Sequence, residues 1–459
     1  MPDKRKSDRM SAHGNQKKLK TTEDNTEVLA YEPVHFIRSH SKNNDPADIQ
    51  TQIWEVVFEP DPVNPEKTTS LVATCGGNSI CIIDVNAGTV LMKYKHKDLK
   101  ENFYTLAWTT LTLGEEKTNI LVSGGIRGEI RMFHPKHRVC FHEWRPVDKK
   151  SIAVNSLVFH SEKPTWLFCG TSDGYVTLWD VSYPTLPSYD GVNPVQLLRL
   201  FPDYGDVYNI AWTGSNRWLL AGTAAGLVGW NIEDDKVINS NKQYKPKMVD
   251  FIMPESKRDE GENPIVDSLA VASEWNIVSK CALHGLIYVW DLKATIEGIK
   301  KEDLKTDTSD ANTDGAEDKA VIEQDVTMLA RLRWSDTDNF YMNLGCHKGK
   351  GLICCGDDKG SLWLYNQPQF GKDGATAIKD TVENSARLSW PELQDDHLEN
   401  TRKVPLDRHD IIIDKVAASH DNNHIVAVTS NNMVCIWKRT DENASSTVSG
   451  GGTGAGSEN

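Results

Sequence analysis

The chain has 459 residues, of which 39% are hydrophobic, and its formal net charge at pH 7 is −14. No apolar run approaches the length of a membrane span, and the nine cysteines, an odd number, lie mostly within hydrophobic segments. The composition argues against a membrane protein and against a disulfide-bonded secreted module, so we expect a soluble protein from a reducing compartment.

Motifs that would indicate catalysis or cofactor binding are lacking. The sequence has no Cys-x-x-Cys pair of the zinc-binding kind, no phosphate-binding glycine loop and no nucleophile elbow. We therefore expect no metal, no cofactor and no enzymatic activity.

Residues 1–30 are polar and are expected to form a disordered basic tail. Two basic clusters lie ten residues apart in this tail, formed by Lys4, Arg5 and Lys6 and then by Lys17, Lys18 and Lys20. Clusters at this separation resemble a bipartite nuclear localisation signal, whose two ends would reach separate acidic grooves of an import receptor. The alternative is a solvated basic terminus without a receptor. The same arm could also contact nucleic-acid phosphates.

A short hydrophobic strand that ends on an aromatic or aliphatic residue followed by a polar one recurs seven times in the rest of the chain. The seven endings are Ile83-Asp84, Phe133-His134, Trp179-Asp180, Trp230-Asn231, Trp290-Asp291, Tyr365-Asn366 and Trp437-Lys438. Seven copies of one unit with this weak Trp-Asp signature predict an all-β, seven-bladed WD40 propeller over residues 31–439. We expect the tryptophans of the endings to pack between blades.

Each copy also carries an earlier strand and a middle strand. The earlier strands are predicted at residues 54–58, 104–108, 155–159, 208–212, 267–271, 331–334 and 415–418. Five copies have a glycine turn between the middle and closing strands, at Gly128, Gly174, Gly226, Gly285 and Gly360.

A propeller must close on itself, because an open ring would expose a strand edge. The last closing strand is followed only by a polar tail, predicted to be disordered at residues 440–459, so we expect residues 33–39 to complete the last blade. Two segments are predicted to be insertions. One is an acidic, disordered loop at residues 297–325, and the other is a mixed segment at residues 371–410.

Several stretches of the sequence resemble one family of chromatin proteins. These stretches are residues 33–44, 51–54, 72–77, 329–335, 356–360 and 362–365. They are similar to the WD-repeat half of the leucine-rich-repeat and WD-repeat chromatin proteins, also called origin recognition complex-associated proteins. The resemblance extends over most of residues 31–439. Family members carry leucine-rich repeats ahead of the propeller, whereas only the basic tail precedes it here.

This resemblance implies a non-enzymatic adaptor in the nucleus, bound to chromatin. It implies partners among the origin recognition complex subunits and binding of trimethyl-lysine marks on histone tails, and thus a link between heterochromatin and DNA replication initiation. Functions that the leucine-rich repeats perform in other family members are not inferred for this chain. The negative net charge makes direct DNA binding by the propeller unexpected, apart from the basic tail.

A more distant likeness suggests where a methylated lysine would bind. Residues 101–108 are similar to the Polycomb propeller subunit, the embryonic ectoderm development protein, in which aromatic side chains at the channel mouth form a trimethyl-lysine cage. The likeness places Trp54 and Tyr104 on two cage positions and Arg331, after Ala330, on the third. Because an arginine would repel a cation, we expect a partial cage. The alternative for Trp54 and Tyr104 is ordinary packing.

Two other functions remain open from the sequence. One is a Polycomb-type propeller subunit of a histone methyltransferase complex. The other is a substrate receptor of a cullin ubiquitin ligase, although the Trp-Asp-x-Arg motif of many such receptors is replaced at residues 179–182 and 290–293.

Overall fold

The computed structural model describes residues 29–440, except for residues 46, 148, 150–151, 240–243, 255–263, 301–320 and 391–410. These residues form seven β-sheets, numbered here as blades 1 to 7 in chain order. The first strand of each sheet contacts the first strand of the next, and the first strand of blade 7 contacts that of blade 1. The ring therefore closes around a channel lined by first strands, and the predicted seven-bladed propeller is confirmed.

Each blade has four strands that follow one another from the channel to the rim, and blade 4 has a fifth, described below. Blades 1 to 3 contain β2 (Ile53–Pro60), β3 (Thr68–Gly76), β4 (Ser79–Asp84) and β5 (Thr89–Lys95), then β6 (Phe103–Leu113), β7 (Glu116–Gly125), β8 (Ile130–His134) and β9 (Val139–Trp144), then β10 (Val154–Phe159), β11 (Trp166–Thr171), β12 (Val176–Asp180) and β13 (Val195–Leu200). Blades 4 and 5 contain β14 (Val207–Trp212), β15 (Trp218–Thr223), β16 (Gly226–Asn231) and β17 (Met248–Ile252), then β18 (Val266–Val271), β19 (Asn276–Cys281), β20 (Leu286–Asp291) and β22 (Thr327–Arg333). Blades 6 and 7 contain β23 (Gly345–Cys346), β24 (Leu352–Gly356), β25 (Ser361–Asn366) and β26 (Ala386–Ser389), then β27 (Ile413–Ala418), β28 (His424–Thr429), β29 (Val434–Arg439) and β1 (Tyr31–Ile37).

The predicted turns and closing strands agree with this arrangement. All seven sequence endings lie in the third strand of a blade, and their tryptophans Trp179, Trp230, Trp290 and Trp437 are buried between sheets. The glycines of the five predicted turns all have positive φ, from 62° to 145°. At Gly174 a side chain is also excluded by space, since an added Cβ would lie 2.8 Å from the Gly205 carbonyl oxygen.

The first strand in the chain completes the last blade, as predicted. β1 pairs antiparallel with β29, with Pro33 opposite Trp437 and Ile37 opposite Val434. The segment that follows β1 is hydrogen-bonded to blade 7 and to blade 1. The Asn432 side chain accepts from the His40 backbone N–H at 3.1 Å, and the His40 ring lies between the Ser79 and Thr74 hydroxyls at 2.8 Å each.

The strand assignment for blade 6 was wrong. Residues 331–334 were expected to form its first strand, but β22 is the outer strand of blade 5, with Leu332 opposite Ile287. The first strand of blade 6 is β23, which has only two residues. The alternating sequence Arg-Leu-Arg-Trp is compatible with the first strand and with the outer strand of a blade, because either strand can bury one face only. The pattern therefore does not distinguish the two positions.

Both predicted insertions contain strands. Within residues 297–325, the segment β21 (Ile322–Asp325) adds to β17 as a parallel fifth strand of blade 4. Within residues 371–410, β26 supplies the outer strand of blade 6. Residues 301–320 and 391–410 lie outside the described residues. So do both tails up to residue 28 and from residue 441, including the basic residues of the predicted nuclear localisation signal.

In the connections that the structure describes lie two short α-helices, α1 (Asp234–Asn239) and α2 (Leu292–Glu297). In the part of the chain that the structure describes, no helix has the length and apolar character to cross a membrane. Seven of the nine cysteines are buried. Burial raises the pKa of their thiols, for example that of Cys81 to about 12, so they are packed as neutral side chains.

His40 makes the ring closure sensitive to acid. Burial lowers the pKa of His40 from 6.5 to about 3. The unfolded chain therefore takes up the proton first, and stability falls as the pH drops from 6.5 towards 3. We expect the free energy of unfolding in urea to fall more steeply over this range for the wild type than for His40→Gln, by up to about 1.4 kcal/mol per pH unit. Parallel pH profiles for the two proteins would contradict this.

Candidate functional site

A β-bulge recurs at the start of the first strand in six of the seven blades. In each case the second residue of the strand is skipped in the pairing with the second strand. The bulged residues are Trp54, Tyr104, Asn155, Tyr208, Asp267 and Asp414. Bulges redirect side chains, and the first strands all begin at the same end of the channel because the blades repeat one strand order. Six side chains are thus turned towards one channel mouth.

Five aromatic side chains meet at this mouth, and we call them the mouth cluster. They are Trp54, Tyr104, Tyr208, Phe340 and Tyr341. Ring centroids of Trp54 and Tyr104 lie 5.3 Å apart, those of Trp54 and Tyr341 6.5 Å apart, and those of Tyr208 and Tyr341 5.1 Å apart. The ring planes in these pairs meet at 81°, 88° and 89°. Near-perpendicular rings present faces in different directions, as the walls of a cage do.

The mouth cluster is accessible but not fully hydrated. Phe340 is 38% exposed, and the other four side chains are half-buried. Burial raises the pKa of Tyr104, Tyr208 and Tyr341, so all three phenols are neutral at physiological pH. The cluster therefore offers uncharged, electron-rich ring faces to a ligand.

Tyr341 is held in an unfavourable backbone conformation by a buried ion pair. Its φ is 71°, in the left-handed region that a bulky residue rarely adopts. Its backbone N–H donates to Oδ2 of Asp267 at 2.8 Å. Asp267 also accepts from Lys280 Nζ at 2.5 and 2.7 Å, and both side chains are fully buried. Lys280 in turn lies 4.8 Å from the centre of the Trp334 ring. The ion pair thus fixes the residue that contacts both Trp54 and Tyr208.

The rim of the mouth carries several carboxylates on the side of blades 3 to 6, beside the exposed Lys359, which donates to the Asp336 carbonyl oxygen. Burial, and then the neighbouring carboxylate of Asp173, raise the pKa of Asp206, and Asp206 is close enough to raise the pKa of Tyr208. Asp336 and Asp338 are exposed in the segment just before Phe340. Carboxylates in this arrangement favour a cationic ligand over an anionic one.

Polar atoms lie beside the cluster on the blade 7 side. Asp414 is 2% exposed, and one of its carboxylate oxygens accepts from Gln52 Nε2 at 2.7 Å. Burial raises its pKa strongly. Within the described residues, its other oxygen, the Trp54 indole N–H and the Asn343 side-chain oxygen have no hydrogen-bond partner. Three buried polar groups beside the cluster are thus unpaired in the described part of the chain.

The predicted cage residues divide into two groups. The structure brings Trp54 and Tyr104 together, as expected. It does not bring Arg331 to them, because Arg331 lies in β22 at the outer edge of blade 5, opposite Tyr288. The missed residues are Tyr208, Phe340 and Tyr341. Tyr208 is the second residue of a first strand, the position that Trp54 and Tyr104 also occupy. The signal of Phe340 and Tyr341 was a pair of adjacent aromatics in an otherwise polar segment.

One cluster of possible metal ligands lies apart from the mouth cluster. Ligand atoms of His96, Glu101 and Glu129 come within 4.8 Å of one another. The fully buried Arg131 guanidinium lies among them, donating to Glu101 Oε2 at 2.8 Å and contacting His96 Nε2 at 3.1 Å and the Glu129 carboxylate. These groups therefore neutralise an arginine, and we assign no metal to them.

Comparison with known proteins identifies the family. Residues 23–440 match the family described as Leucine-rich repeat and WD repeat-containing protein 1, WD domain. The chain is 31% identical over 450 residues to the protein of that name from Xenopus tropicalis, covering 95% of this chain and 60% of the relative. It is 30% identical over 423 residues to the Homo sapiens protein, covering 90% of this chain and 58% of the relative. The chain thus spans about three fifths of the length of these relatives.

Solved structures support the fold. One similar chain belongs to a humanized mutant of the Chaetomium thermophilum Polycomb Repressive Complex 2 bound to the inhibitor GSK126, with a TM-score of 0.61, 13% identity and coverage of 89% of this chain and 98% of that one. Another is the WD40 repeats of RRP9, with a TM-score of 0.53, 14% identity and coverage of 86% and 98%. At such identities the likeness shows a shared fold alone. The match to the family, by contrast, spans most of the chain, and the chain therefore belongs to the family of Leucine-rich repeat and WD repeat-containing protein 1.

Proposed function

We propose that the protein is a non-enzymatic chromatin adaptor of the nucleus whose channel mouth binds trimethyl-lysine on histone tails. Through association with the origin recognition complex, it would link heterochromatin to the initiation of DNA replication. The observation that carries the proposal is the mouth cluster, in which aromatic side chains from blades 1, 2 and 4 meet two more from the segment before blade 6.

The chemistry of the cluster suits a methylated ammonium group. Three methyl groups leave the nitrogen no N–H to donate, so water solvates the cation poorly, while ring faces attract it through their quadrupoles. The acidic rim adds a second attraction, since histone tails carry many lysines and arginines. The ring of Tyr341 lies beside Trp54, which supports a cage with more aromatic walls than the partial one expected from the sequence.

The partners rest on family membership and are proposals. Origin recognition complex subunits are the expected partners of the propeller, and an import receptor is the expected partner of the basic tail. The fold likeness to a Polycomb Repressive Complex 2 chain does not favour the Polycomb alternative, since propellers of one fold serve unrelated functions.

Removal of a cage wall is expected to weaken peptide binding. Trp54→Ala and Tyr341→Ala should each weaken binding of a trimethylated histone-tail peptide about 10-fold, because each removes about 1.4 kcal/mol of cation–π and desolvated contact. Isothermal titration calorimetry against the trimethylated and unmodified peptides measures this. Tyr183→Ala, at a tyrosine 50% exposed elsewhere, is the matched control and should bind as the wild type does. Equal affinity for the two peptides would remove the proposal.

The buried ion pair behind Tyr341 can be tested without leaving a charge unpaired. The double variant Asp267→Asn/Lys280→Met keeps a side-chain oxygen for the Tyr341 N–H, whereas Asp267→Leu/Lys280→Met removes it. Replacing both partners of a buried pair is nearly neutral for stability, so both variants should melt at similar temperatures. We expect only the leucine variant to lose peptide affinity, by about 5-fold, at a cost of about 1 kcal/mol. Equal peptide affinities in calorimetry would show that the Asp267 oxygen does not position Tyr341.

The proposed partner is tested by affinity purification of the tagged full-length chain from nuclei at low salt. We expect mass spectrometry to recover origin recognition complex subunits. Recovery of methyltransferase subunits of a Polycomb complex, or of cullin ligase components, in their place would overturn this part of the proposal and leave the peptide result standing.

A further inference from the structure

Five lysines lie in the outer strand of blade 1, in the segment that follows this strand, and in the segment that follows β1. We call them the lysine strip, and they are Lys42, Lys93, Lys95, Lys97 and Lys100. Lys93 is half-buried and the other four are exposed. The strip contrasts with the formal charge of −14 on the whole chain.

Alternation along β5 places Lys93 and Lys95 on one face. Met92 and Tyr94 pack against the core between blades 1 and 2, so Lys93 and Lys95 face the other way, towards blade 7. After the strand, His96 turns inwards to Arg131 and leaves the next residue, Lys97, exposed. Alternate residues of a strand are about 7 Å apart, a separation comparable to that of successive phosphates in a nucleic acid strand.

The segment that closes the ring extends the strip. Lys93 Nζ donates to the Ser41 carbonyl oxygen at 3.3 Å, which brings Lys42 beside β5. Burial lowers the pKa of Lys93, and the Lys95 charge acts in the same direction, so the two ammonium groups are near enough to repel each other. A polyanion would relieve this repulsion.

Nearby carboxylates are already engaged. Asp98 pairs with Arg127, and Glu101 pairs with Arg131 at 2.8 Å. The Asp48 carboxylate accepts from backbone N–H groups of its own loop and from the Thr51 hydroxyl, and its charge also attracts the Lys93 ammonium group. Among the described residues, none of the four exposed lysines of the strip has an ion-pair partner.

We propose that the lysine strip binds the phosphate backbone of a nucleic acid. Four or five ammonium groups in a row neutralise a few phosphates without reading bases, so binding is weak, sequence-independent and salt-sensitive. From the sequence we expected contacts with nucleic acid only from the basic tail, because the net charge of the chain is negative. A net charge is a sum over the whole chain and does not show a local group of lysines. The proposal is independent of methyl-lysine binding at the mouth.

The test is fluorescence anisotropy of the full chain with a 20-bp DNA duplex and a 20-nucleotide single-stranded RNA, titrated between 50 and 300 mM NaCl. Lys95→Glu/Lys97→Glu should weaken binding at least about 10-fold and make the slope of log K against log salt about 2 less steep, since each lost phosphate contact removes about 0.9. The tighter of the two probes identifies the nucleic acid. Both substituted side chains are exposed, so the melting temperature should not change.

Two controls distinguish binding by the lysine strip from an effect of net charge and from binding by the basic tail. Lys348→Glu/Lys350→Glu makes the same charge change in an exposed hairpin at the opposite end of the channel, and should alter binding less than about 2-fold. The strip variant should keep its effect when residues 1–28 are deleted. The proposal is overturned if strip and hairpin variants weaken binding equally, if the effect disappears in the deletion, or if neither probe binds. Binding of a polyglutamate peptide in place of both nucleic acids would assign the strip to an acidic protein and would also overturn it.

Discussion

The pairing of β1 with β29 is the contact on which the rest of the molecule depends. Without it, blade 7 would end on an unpaired strand edge and the ring would be free to open. The channel mouth depends on the same contact for a geometric reason. Trp54 belongs to blade 1 and Tyr341 precedes blade 6, so blade 7 lies between their blades in the closed ring, and their rings meet at 6.5 Å.

The mouth combines ordinary propeller geometry with one strained residue. Bulges at the first strands need no special sequence, and they bring aromatic side chains to the mouth wherever the sequence supplies them. Tyr341 is different, because a left-handed tyrosine costs roughly 1–3 kcal/mol and must be held by its surroundings. Asp267 and Lys280 do this from inside the protein, where neither can be lost singly without leaving a buried charge. Strain of this kind is typical of residues that contact ligands.

Much of the fold could be predicted from the sequence, because it depends on local patterns. The closing strands and their glycine turns recur at a regular spacing. The pairing of β1 with the last blade could be predicted because a propeller must close into a ring. Blade 6 could not be predicted in the same way. Its first strand has two residues and carries no pattern, while Arg331 and its neighbours alternate well enough to take its place. The same misplacement put an arginine in the cage and left Phe340 and Tyr341 unrecognised. Tyr341 is held at the mouth by contacts with other blades, among them the hydrogen bond to Asp267 of blade 5, which no local pattern encodes.

The closure of the ring also fixes where the chain can be tethered. Tyr31 lies opposite Arg439, and the Thr440 N–H donates to the Ala30 carbonyl oxygen at 3.0 Å, so both ends of the propeller leave blade 7 side by side. A segment or domain attached at either end is therefore anchored at one point on the rim, and its effective concentration falls with distance from that point. Blade 1 and its lysine strip lie next to the anchor, whereas blades 3 and 4 lie across the ring from it. An attached module would compete or cooperate with ligands near blade 1 and leave the far side of the ring open to separate partners.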